Sequence, residues 1–541
     1  MPRNRTLIVA GGACCLCAAL LACTSSRLAE LRGVIVDSSD GSPVAARLYI
    51  QDGHGEWHVA QSADPDGSSV PYNRSRSDQS VEIHTTLSAH SFAAKLPPGS
   101  YSLTAARGKE YLPATNTVVV GEGVTETEIR LRRWINMAEH GWYSGETHVH
   151  RSVSELPGLV VAEDLNVALP LTYWVTEAGT PPSQGDKNSA PVQARPITVD
   201  PFHIIYPMNT EYEIFTVSGV RHTLGAVFAL NHRSVLNQGA PPVGSIAKQV
   251  HDEGGLLELD KHNWPWSMML IPVMNVDLYE LTNNHIWRAP FHFRGFGEQP
   301  ADYMQVEQTA EGFTEEGWID FTFQNYYALL NCGFRLRPTA GTASGVHPVP
   351  LGFGRVYVHL GSEFSYERWI KGLDAGRSFV TTGPMLDVRV NDRLPGREFA
   401  ESPSADGAYR LTGWIRSATP VTSIEVVEAG EVVRRLEPAN QVESAGGYLT
   451  LIDEQFSFDT STWLAVRCYE RPEGRLRFAH SAPFHITVPD RPLRPRREEV
   501  EYLIGRVESE LARHQGVLPE AAIAEYEHAR SVYEQLKMVA E

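Results

Sequence analysis

The chain has 541 residues and a formal net charge of −18, with acidic and basic residues interspersed. Its length predicts roughly three or four domains at about 150 residues each, and an apolar content of 42% is enough to bury large cores. The acidic balance argues against a surface for nucleic acid or for an anionic membrane.

Residues 1–23 predict an export signal that is removed from the mature protein. Arg3 and Arg5 form a positive start, and residues 7–22 form an apolar run that is too short for a comfortable transmembrane helix. The run ends in Leu-Leu-Ala before Cys23, which resembles a bacterial lipoprotein cleavage box. That resemblance implies a lipidated Cys23 and an exported protein of the bacterial cell envelope, in contact with the membrane through its lipid anchor only. The alternative is an ordinary secretion signal with an incidental cysteine.

Cysteine usage excludes a disulfide framework. Only Cys332 and Cys468 follow Cys23, and neither belongs to a Cys-x-x-Cys metal knuckle. Any metal ion must therefore be held by His, Asp and Glu side chains.

Residues 24–135 predict a β-sandwich domain. Short alternating strands such as 33–37 and 44–50 are separated by turn-forming clusters of Ser, Asp, Gly and Pro. The phrases Gly-Val-Ile-Val-Asp at 33–37 and Leu-Pro-Pro-Gly-Ser-Tyr at 96–101 resemble carboxypeptidase regulatory-like, transthyretin-like domains. The resemblance implies a spacer or a binding platform.

Residues 138–385 predict an α/β barrel. Short apolar runs end in polar clusters at 256–262, 276–284 and 336–344, with longer mixed segments between them. Parallel strands of α/β barrels have this form, with the chemistry at their carboxyl ends.

Two further units follow the barrel. Residues 386–490 predict a second β-sandwich because alternating strands return, for example at 421–427. Residues 491–541 predict a helical hairpin, since apolar residues recur at 3.6-residue spacing on both sides of Gly516. We expect the hairpin to pack on its own protein, and partner binding is the alternative.

The motif Thr-His-Val-His at 147–150 is the strongest functional signal. On a strand, His148 and His150 point to one side, so that two imidazoles can hold one ion. With Trp-Tyr-Ser-Gly-Glu at 142–146 before it and Glu155 after it, the motif resembles the opening of the PHP (polymerase-and-histidinol-phosphatase) family, in its carbaryl-hydrolase-like branch. The resemblance implies a distorted PHP-type barrel, here flanked by two β-sandwiches, with Glu155 in the place of the family's Asp.

The same resemblance implies the other members of a metal site. The candidate ligands are His148, His150, Glu155, Glu213, His222, His262 and, off the usual register, His347. The candidate substrate-binding or supporting groups are Asp260, Asn283, His285 and Arg377. The candidate proton-transfer residues are Glu163, Asp164 and Glu280. Structural roles as surface carboxylates, core histidines, helix caps or ion pairs are the alternatives for these residues.

Two positions depart from the family pattern. Tyr173 and Trp174 stand where the family carries an Asp and a His, and Ala343 stands where it carries an Asp. The remaining set of His and carboxylate ligands suits one or two divalent ions, with Zn²⁺ preferred and Mn²⁺ or Fe²⁺ as alternatives.

The predicted function is metal-dependent hydrolysis of a phosphoester, ester, amide or carbamate bond in a small-molecule or glycan substrate. A metal ion with an open position activates water near neutral pH. Two other classes stay open: a catalytically degenerate surface lipoprotein that binds a metal or a glycan, and a purely structural envelope protein. The oligomeric state is not predicted.

Overall fold

The structure, a computed structural model, describes residues 28–185, 187–188, 190–295, 297–400 and 408–541. The predicted export signal and Cys23 lie outside these residues. Within them the protein is multidomain and rich in β-sheet, with seven α-helices.

The N-terminal region consists of two sheets around one core. Strand order is β4-β7-β1-β11-β9 in one sheet and β10-β8-β2-β6-β5 in the other, with β3 paired to β2. Alternation explains the arrangement, since Ala29, Leu31 and Gly33 of the first strand are buried while Glu30 and Arg32 between them are more exposed. The strands are β1 (Ala29–Asp37), β2 (Ala46–Asp52), β3 (Trp57–His58), β4 (Gln61–Ser62), β5 (Ser69–Ser75), β6 (Val81–Leu87), β7 (Phe92–Leu96), β8 (Gly99–Ala106), β9 (Tyr111–Leu112), β10 (Ala114–Val120) and β11 (Val124–Arg133).

The central region alternates strands with helices. Its strands are β12 (Trp142–Val149), β13 (Val167–Pro170), β14 (Tyr173–Glu177), β15 (Ser183–Gln184), β16 (Ile197–Asp200), β17 (His203–Ile205), β18 (Thr210–Val217), β19 (Val220–Leu230), β20 (Leu256–Leu259), β21 (Leu278–Thr282), β22 (Gln308–Thr309), β23 (Gly312–Phe313), β24 (Arg337–Ser344), β25 (Arg355–His359) and β26 (Ser378–Thr381). Its helices are α1 (Leu156–Ala162), α2 (Gly244–Asp252), α3 (Ser267–Met274), α4 (Glu315–Asn331) and α5 (Tyr366–Asp374).

Strand pairing in the central region leads around a ring. β12 pairs in parallel with β13 and β24, and β24, β21 and β20 continue the parallel run. β19 joins β20 and β18 as an antiparallel insert, and β18 pairs in parallel with β14, which follows β13 along the chain. The carboxyl ends of β12, β20, β21 and β24 therefore meet, as the polar clusters after the apolar runs predict. That this ring is a PHP-type barrel stays a prediction.

The C-terminal region adds strands and two long helices. A separate sheet has the order β27-β29-β33-β32, and the other C-terminal strands extend the central sheet through β26. The strands are β27 (Met385–Val390), β28 (Glu398–Phe399), β29 (Tyr409–Ser417), β30 (Val421–Glu428), β31 (Glu431–Leu436), β32 (Gln441–Val442), β33 (Tyr448–Phe456), β34 (Thr462–Glu470), β35 (Arg477–Ser481) and β36 (Phe484–Ile486).

The two helices are α6 (Arg497–His514) and α7 (Glu520–Lys537), and they pack against the central region. Val500, Leu503 and Val507 bury one face of α6, at the spacing that the sequence shows. The Tyr533 hydroxyl donates to the Met268 carbonyl at 2.8 Å and fastens α7 to α3. Among the residues that the structure describes, there is no helix with the length and apolar content needed to span a membrane.

Candidate metal centre

Two imidazoles meet at the carboxyl end of β12. The Nε2 atoms of His148 and His150 lie 3.2 Å apart, because alternate residues of an extended chain face the same side. Gly341 of β24 makes room for them, since a Cβ there would lie 2.2 Å from the His148 Cβ. The local sequence of two strands thus fixes the position of this pair.

A carboxylate from β18 completes a three-residue group with the two histidines. Glu211 Oε2 lies 3.3 Å from His150 Nε2, and the donor atoms of His148, His150 and Glu211 all lie within 4.8 Å of one another. Glu211 Oε2 is buried and accepts no hydrogen bond from any residue that the structure describes. A buried oxygen of this kind is costly unless it receives a proton or binds a cation.

The other nitrogen of His148 faces two more carboxylates. His148 Nδ1 lies 2.8 Å from Glu280 Oε2 and 3.5 Å from Asp260 Oδ1, and these three residues form a second possible group of ligands. Trp264 and Lys261 hold the second Asp260 oxygen, with the indole Nε1 donating at 2.8 Å. Both carboxylates are therefore positioned by neighbours before any ligand arrives.

Burial controls the charge state of the group. It lowers the pKa of His148 to about 3 and the pKa of His150 well below its ordinary range, so both rings are neutral and have a lone pair to offer. Burial also raises the pKa of Glu211 and of Glu280 well above the usual carboxyl range, and like charges nearby add to the rise. Neutral imidazoles beside buried carboxyl groups with raised pKa values are the surroundings that a divalent cation stabilises.

The donor set fits one divalent ion. With Nδ1–H donating to Glu280, His148 offers Nε2 together with His150 Nε2 and Glu211 Oε2. Two His and one Glu, with a fourth position left open, is a ligand set of hydrolytic zinc sites. A carboxylate on the second nitrogen of a ligating His fixes the tautomer and raises the basicity of the ring.

Buried carboxyl groups also brace the strands beneath the site. Thr147 Oγ1 donates to Glu258 Oε1 at 2.8 Å, which ties β12 to β20. Glu146 accepts hydrogen bonds from the backbone N–H of Thr342 at 2.8 Å and of Gly352 at 2.5 Å, which fixes the loop after β24. Burial raises the pKa of Glu146 to about 8.

His262 lies close to the group without joining it. The side chain is buried, and its ring packs at 5.0 Å from Trp318 and 4.5 Å from Phe321. Neither ring nitrogen has a hydrogen-bond partner among the described residues, and neither belongs to the two ligand groups. Asn283 accepts from Trp318 Nε1 at 2.9 Å, which gives this candidate substrate residue a structural contact.

His285 and His347 line the neighbouring aromatic region. The His285 ring stacks on Phe293 at 3.5 Å, and its centroid lies 6.1 Å from that of His347. His347 Nδ1 accepts from Arg76 Nε at 3.2 Å, a contact that comes from the N-terminal sheets. The structure therefore brings His347 near the site but outside both groups of donor atoms that lie within 4.8 Å.

The acidic pair at the end of α1 does not lie at the metal centre. Glu163 pairs with Arg47 at 3.2 Å, and Asp164 pairs with Arg107 at 3.0 Å and with Arg133 at 2.7 Å. These arginines belong to the N-terminal sheets, so the pair fastens two regions together. This corrects the prediction that Glu163 or Asp164 transfers protons at the site, because arginines occupy both carboxylates.

Three other candidates belong to neither group of donor atoms. His222 lies near the hairpin end of β19, where its Nε2 atom is 2.9 Å from His514 Nδ1 of α6. Glu155 is 41% exposed at its side chain and pairs with Arg151 at 3.2 Å. Arg377 is exposed beside the end of β25. The structure therefore brings neither His222 nor Glu155 into the two ligand groups: His222 lies against α6, and Glu155 lines the cavity beside His150.

The sequence alone does not decide which of two carboxylates on one strand, Glu211 or Glu213, lies against the histidine pair. Both belong to β18 and share one face of it, and the sequence favoured Glu213. The structure puts Glu211 against His150, while burial raises the pKa of Glu213 to about 7. Spacing alone cannot choose between two carboxylates on one strand face.

The positions that depart from the family pattern form part of the wall. Trp174 lies with its ring centroid 5.8 Å from that of His150, and Tyr173 is buried on the other face of β14. Ala343 is buried, and its carbonyl accepts from His347 N at 3.2 Å. Two aromatic side chains and an alanine thus stand where the resemblance predicts further ligands.

Two cavities share Lys187, and one of them reaches the group at His150. One, of about 310 Å³, is lined by His150, by Arg151 and by residues of β5 from the N-terminal sheets. The other, of about 340 Å³, is lined mainly by the segment between β15 and β16. Lys187 lines both of them.

Comparison with known proteins gives little to place beside this geometry. No family model matches the chain, and no curated protein matches it. A solved structure from Bacteroides vulgatus ATCC 8482, a two-domain protein containing a predicted PHP-like metal-dependent phosphoesterase, is similar over 64% of this chain and 95% of its own. The identity is 10% and the TM-score is 0.28.

Proposed function

We propose that this protein is a metal-dependent hydrolase of the PHP type, with one or two divalent ions at its centre. The observation that carries the proposal is the buried group of His148, His150 and Glu211, whose donor atoms lie within 4.8 Å of one another. Neutral imidazoles and an unpartnered carboxylate oxygen support an ion there. Zn²⁺ is the preferred ion because two His and one Glu suit it, and Mn²⁺ or Fe²⁺ are alternatives.

The chemistry follows from an open position in such a site. When bound, the ion supplies Lewis acidity, which polarises the scissile bond and favours loss of a proton from water near neutral pH. Glu280 holds the Nδ1 proton of His148 and so keeps Nε2 free for ligation. The Trp174 ring lies 5.8 Å from the His150 ring, centroid to centroid, and forms one side of the site.

Glu213 is placed to move a proton at this centre. Burial raises its pKa to about 7, so it changes its charge close to neutral pH. It stands two residues from Glu211 on the same strand face, which puts it next to the donor group. We assign to Glu213 the proton-transfer role that the sequence gave to Glu163 and Asp164.

The proposed substrates are small molecules or glycans with a phosphoester, ester, amide or carbamate bond. The test uses 4-nitrophenyl phosphate, 4-nitrophenyl acetate, a 4-nitroanilide and a 4-nitrophenyl carbamate, before and after chelation and re-addition of Zn²⁺, Mn²⁺ or Fe²⁺. We expect turnover of at least one class, its loss on chelation and its recovery with one ion. Glu211→Gln should lack that activity, and the exposed-site control Glu126→Gln should keep it.

A second candidate function has its own observation. Tyr173, Trp174 and Ala343 replace expected ligands with apolar groups, which favours a degenerate site that binds a metal or a glycan without turnover. Stoichiometric metal with no turnover on the four substrate classes would support this reading and contradict hydrolysis. Turnover that survives complete chelation would contradict both.

We also propose an exported, lipid-anchored protein of the bacterial cell envelope. The support is the apolar run before Cys23 and its resemblance to a lipoprotein cleavage box. Cys23→Ser should move the protein from the membrane fraction to the soluble fraction of the producing cell. Unchanged partitioning would rule out the anchor.

A further inference from the structure

A cationic cleft joins the N-terminal sheets to the candidate metal centre. The cavity of about 310 Å³ beside His150 has walls from both regions, with β5 on one side. Among the described residues that line it, Arg74, Arg151 and Lys187 are cationic, and Glu155 is the one carboxylate. Like charges gathered at one small cavity repel one another, and an anion between them removes that repulsion.

Tyr72 of β5 organises the cleft. Its hydroxyl donates to the His347 carbonyl at 2.5 Å and accepts from the Gly345 N–H at 2.9 Å, which docks β5 on the loop after β24. Its ring lies 5.6 Å from the Arg74 guanidinium carbon and 4.7 Å from that of Arg151. One aromatic ring therefore holds two guanidinium groups, one from each region.

Arg74 is fixed in place and still has donors to offer. Its Nε donates to the Gly345 carbonyl at 3.1 Å, and its Nη1 donates to the Asn73 carbonyl at 2.8 Å. A guanidinium has five N–H donors in a rigid fork, so N–H groups remain for an anion. Arg74 is exposed, which leaves this fork open to a ligand.

Lys187 is the third cationic residue of the cleft, and it contacts the backbone of the candidate ligand His150. Its ammonium donates to the His150 carbonyl at 2.8 Å and lies 3.5 Å from the Gly345 carbonyl. The Gly345 backbone packs so closely on His150 that a Cβ would lie 2.2 Å from the His150 carbonyl oxygen. The cationic groups and the candidate ligand His150 are thus held on one short stretch of backbone.

We propose that this cleft binds an anionic group of the substrate, such as a carboxylate, sulfate or phosphate distinct from the bond that is cleaved, and that Arg74 selects for it. The inference rests on the proposed hydrolase function for the identity of the ligand as a substrate. It makes the N-terminal sheets a wall of the active site, where the sequence predicted a spacer or a platform.

The binding test uses phenylphosphonate, a stable organic anion, titrated into the full-length protein by calorimetry. We expect one site whose affinity falls roughly tenfold or more in Arg74→Gln, since a hydrogen bond to a charged group is lost. Arg74→Lys should recover part of the affinity, and the matched control Arg130→Gln, an exposed arginine of β11, should match the parent. No binding by the parent, or equal binding by Arg74→Gln, would overturn the proposal.

The kinetic test separates this inference from the function on which it rests. It compares 4-nitrophenyl hydrogen glutarate, which has a free carboxylate, with its neutral methyl ester. We expect a higher kcat/KM for the anion, lost in Arg74→Gln through KM, while metal content stays at the parental value and the exposed control Arg130→Gln keeps the preference for the anion. Equal kcat/KM for the two esters, unaffected by Arg74→Gln, would overturn the cleft and leave hydrolysis intact. Absence of turnover with normal phenylphosphonate binding would contradict hydrolysis and support the cleft as a binding site.

Discussion

Two buried regions of this protein are crowded with ionisable side chains, and they solve the problem of burial in opposite ways. Where the N-terminal sheets meet α1, arginines pair with the carboxylates: Arg47 with Glu163, and Arg107 and Arg133 with Asp164. Burial would raise the pKa of Asp164, but the two arginines outweigh it and hold that pKa below its ordinary value. This region supplies its own positive charge, which outweighs burial at Asp164 and offsets part of it at Glu163, whose pKa burial still raises.

At the candidate metal centre the carboxylates face neutral histidines instead. Glu211 lies against His150, and Glu280 lies against His148, with the pKa of both carboxyl groups raised by burial. Lys261 pairs with Asp260 there, but the pKa values of Glu211 and Glu280 stay raised, so their further compensation requires protons or a cation from solution. The comparison indicates that buried carboxyl groups mark a binding site where the chain supplies too little positive charge to balance them.

The largest expected effect is that of pH on the stability of the metal-free protein. Without metal, burial raises the pKa of Glu213 in the folded protein to about 7, against an ordinary 4.5. The contribution of Glu213 to the free energy of unfolding is therefore full below about pH 4.5 and is lost as pH rises through 7. The loss by pH 8 is about 3 kcal/mol for this group alone.

Melting temperatures of chelated and metal-loaded protein at pH 5 and pH 8 measure this effect. Metal should raise the melting temperature more at pH 8 than at pH 5. Glu110 at the arginine interface also has a pKa raised to about 7, and its share is the same with and without metal. An equal effect of metal at both pH values would remove the proposed difference between the two regions.

The second prediction removes one arginine from the interface between the N-terminal sheets and α1. Arg47→Met leaves Glu163 buried without its partner, which should lower the free energy of unfolding by about 3 kcal/mol. Urea denaturation measures the change, and the double variant Arg47→Met plus Glu163→Gln should recover most of it. Metal content should stay at the parental value in both, and a loss of metal would mean that the two regions are not independent.

The third prediction changes the carboxylate that contacts His148 Nδ1 and leaves the candidate ligand His148 in place. Glu280→Gln replaces the carboxylate that holds His148 Nδ1, so metal affinity should fall roughly 10- to 100-fold. Competition with a fluorescent zinc chelator measures the affinity, and the matched control is Glu126→Gln on the exposed surface of β11. An unchanged affinity would show that Glu280 does not orient His148.

The sequence anticipates the parts of this fold that depend on local pattern. The apolar runs at 256–262, 276–284 and 336–344 are β20, β21 and β24, which lie side by side in parallel. The spacing of His148 and His150 places both rings at one point because strand geometry is a local property. The 3.6-residue stripe likewise places α6 and α7.

What the sequence does not anticipate depends on distant partners. His222 meets His514, and Glu163 meets Arg47, and no local pattern specifies either contact. The proximity of Glu211 to His150 joins residues 61 positions apart in the chain, and no local pattern specifies it. Arg74 joins the site only because β5 docks on the loop after β24.

The most direct measurement is the number of metal ions per chain. Elemental analysis of the purified protein should find one or two equivalents of a divalent transition metal. His148→Ala plus His150→Ala should reduce this to background, whereas His54→Ala plus His528→Ala, two exposed histidines elsewhere, should leave it unchanged. No metal in the parent after growth and purification with added Zn²⁺, Mn²⁺ or Fe²⁺, or equal metal in all three proteins, would contradict a metal centre at His148 and His150.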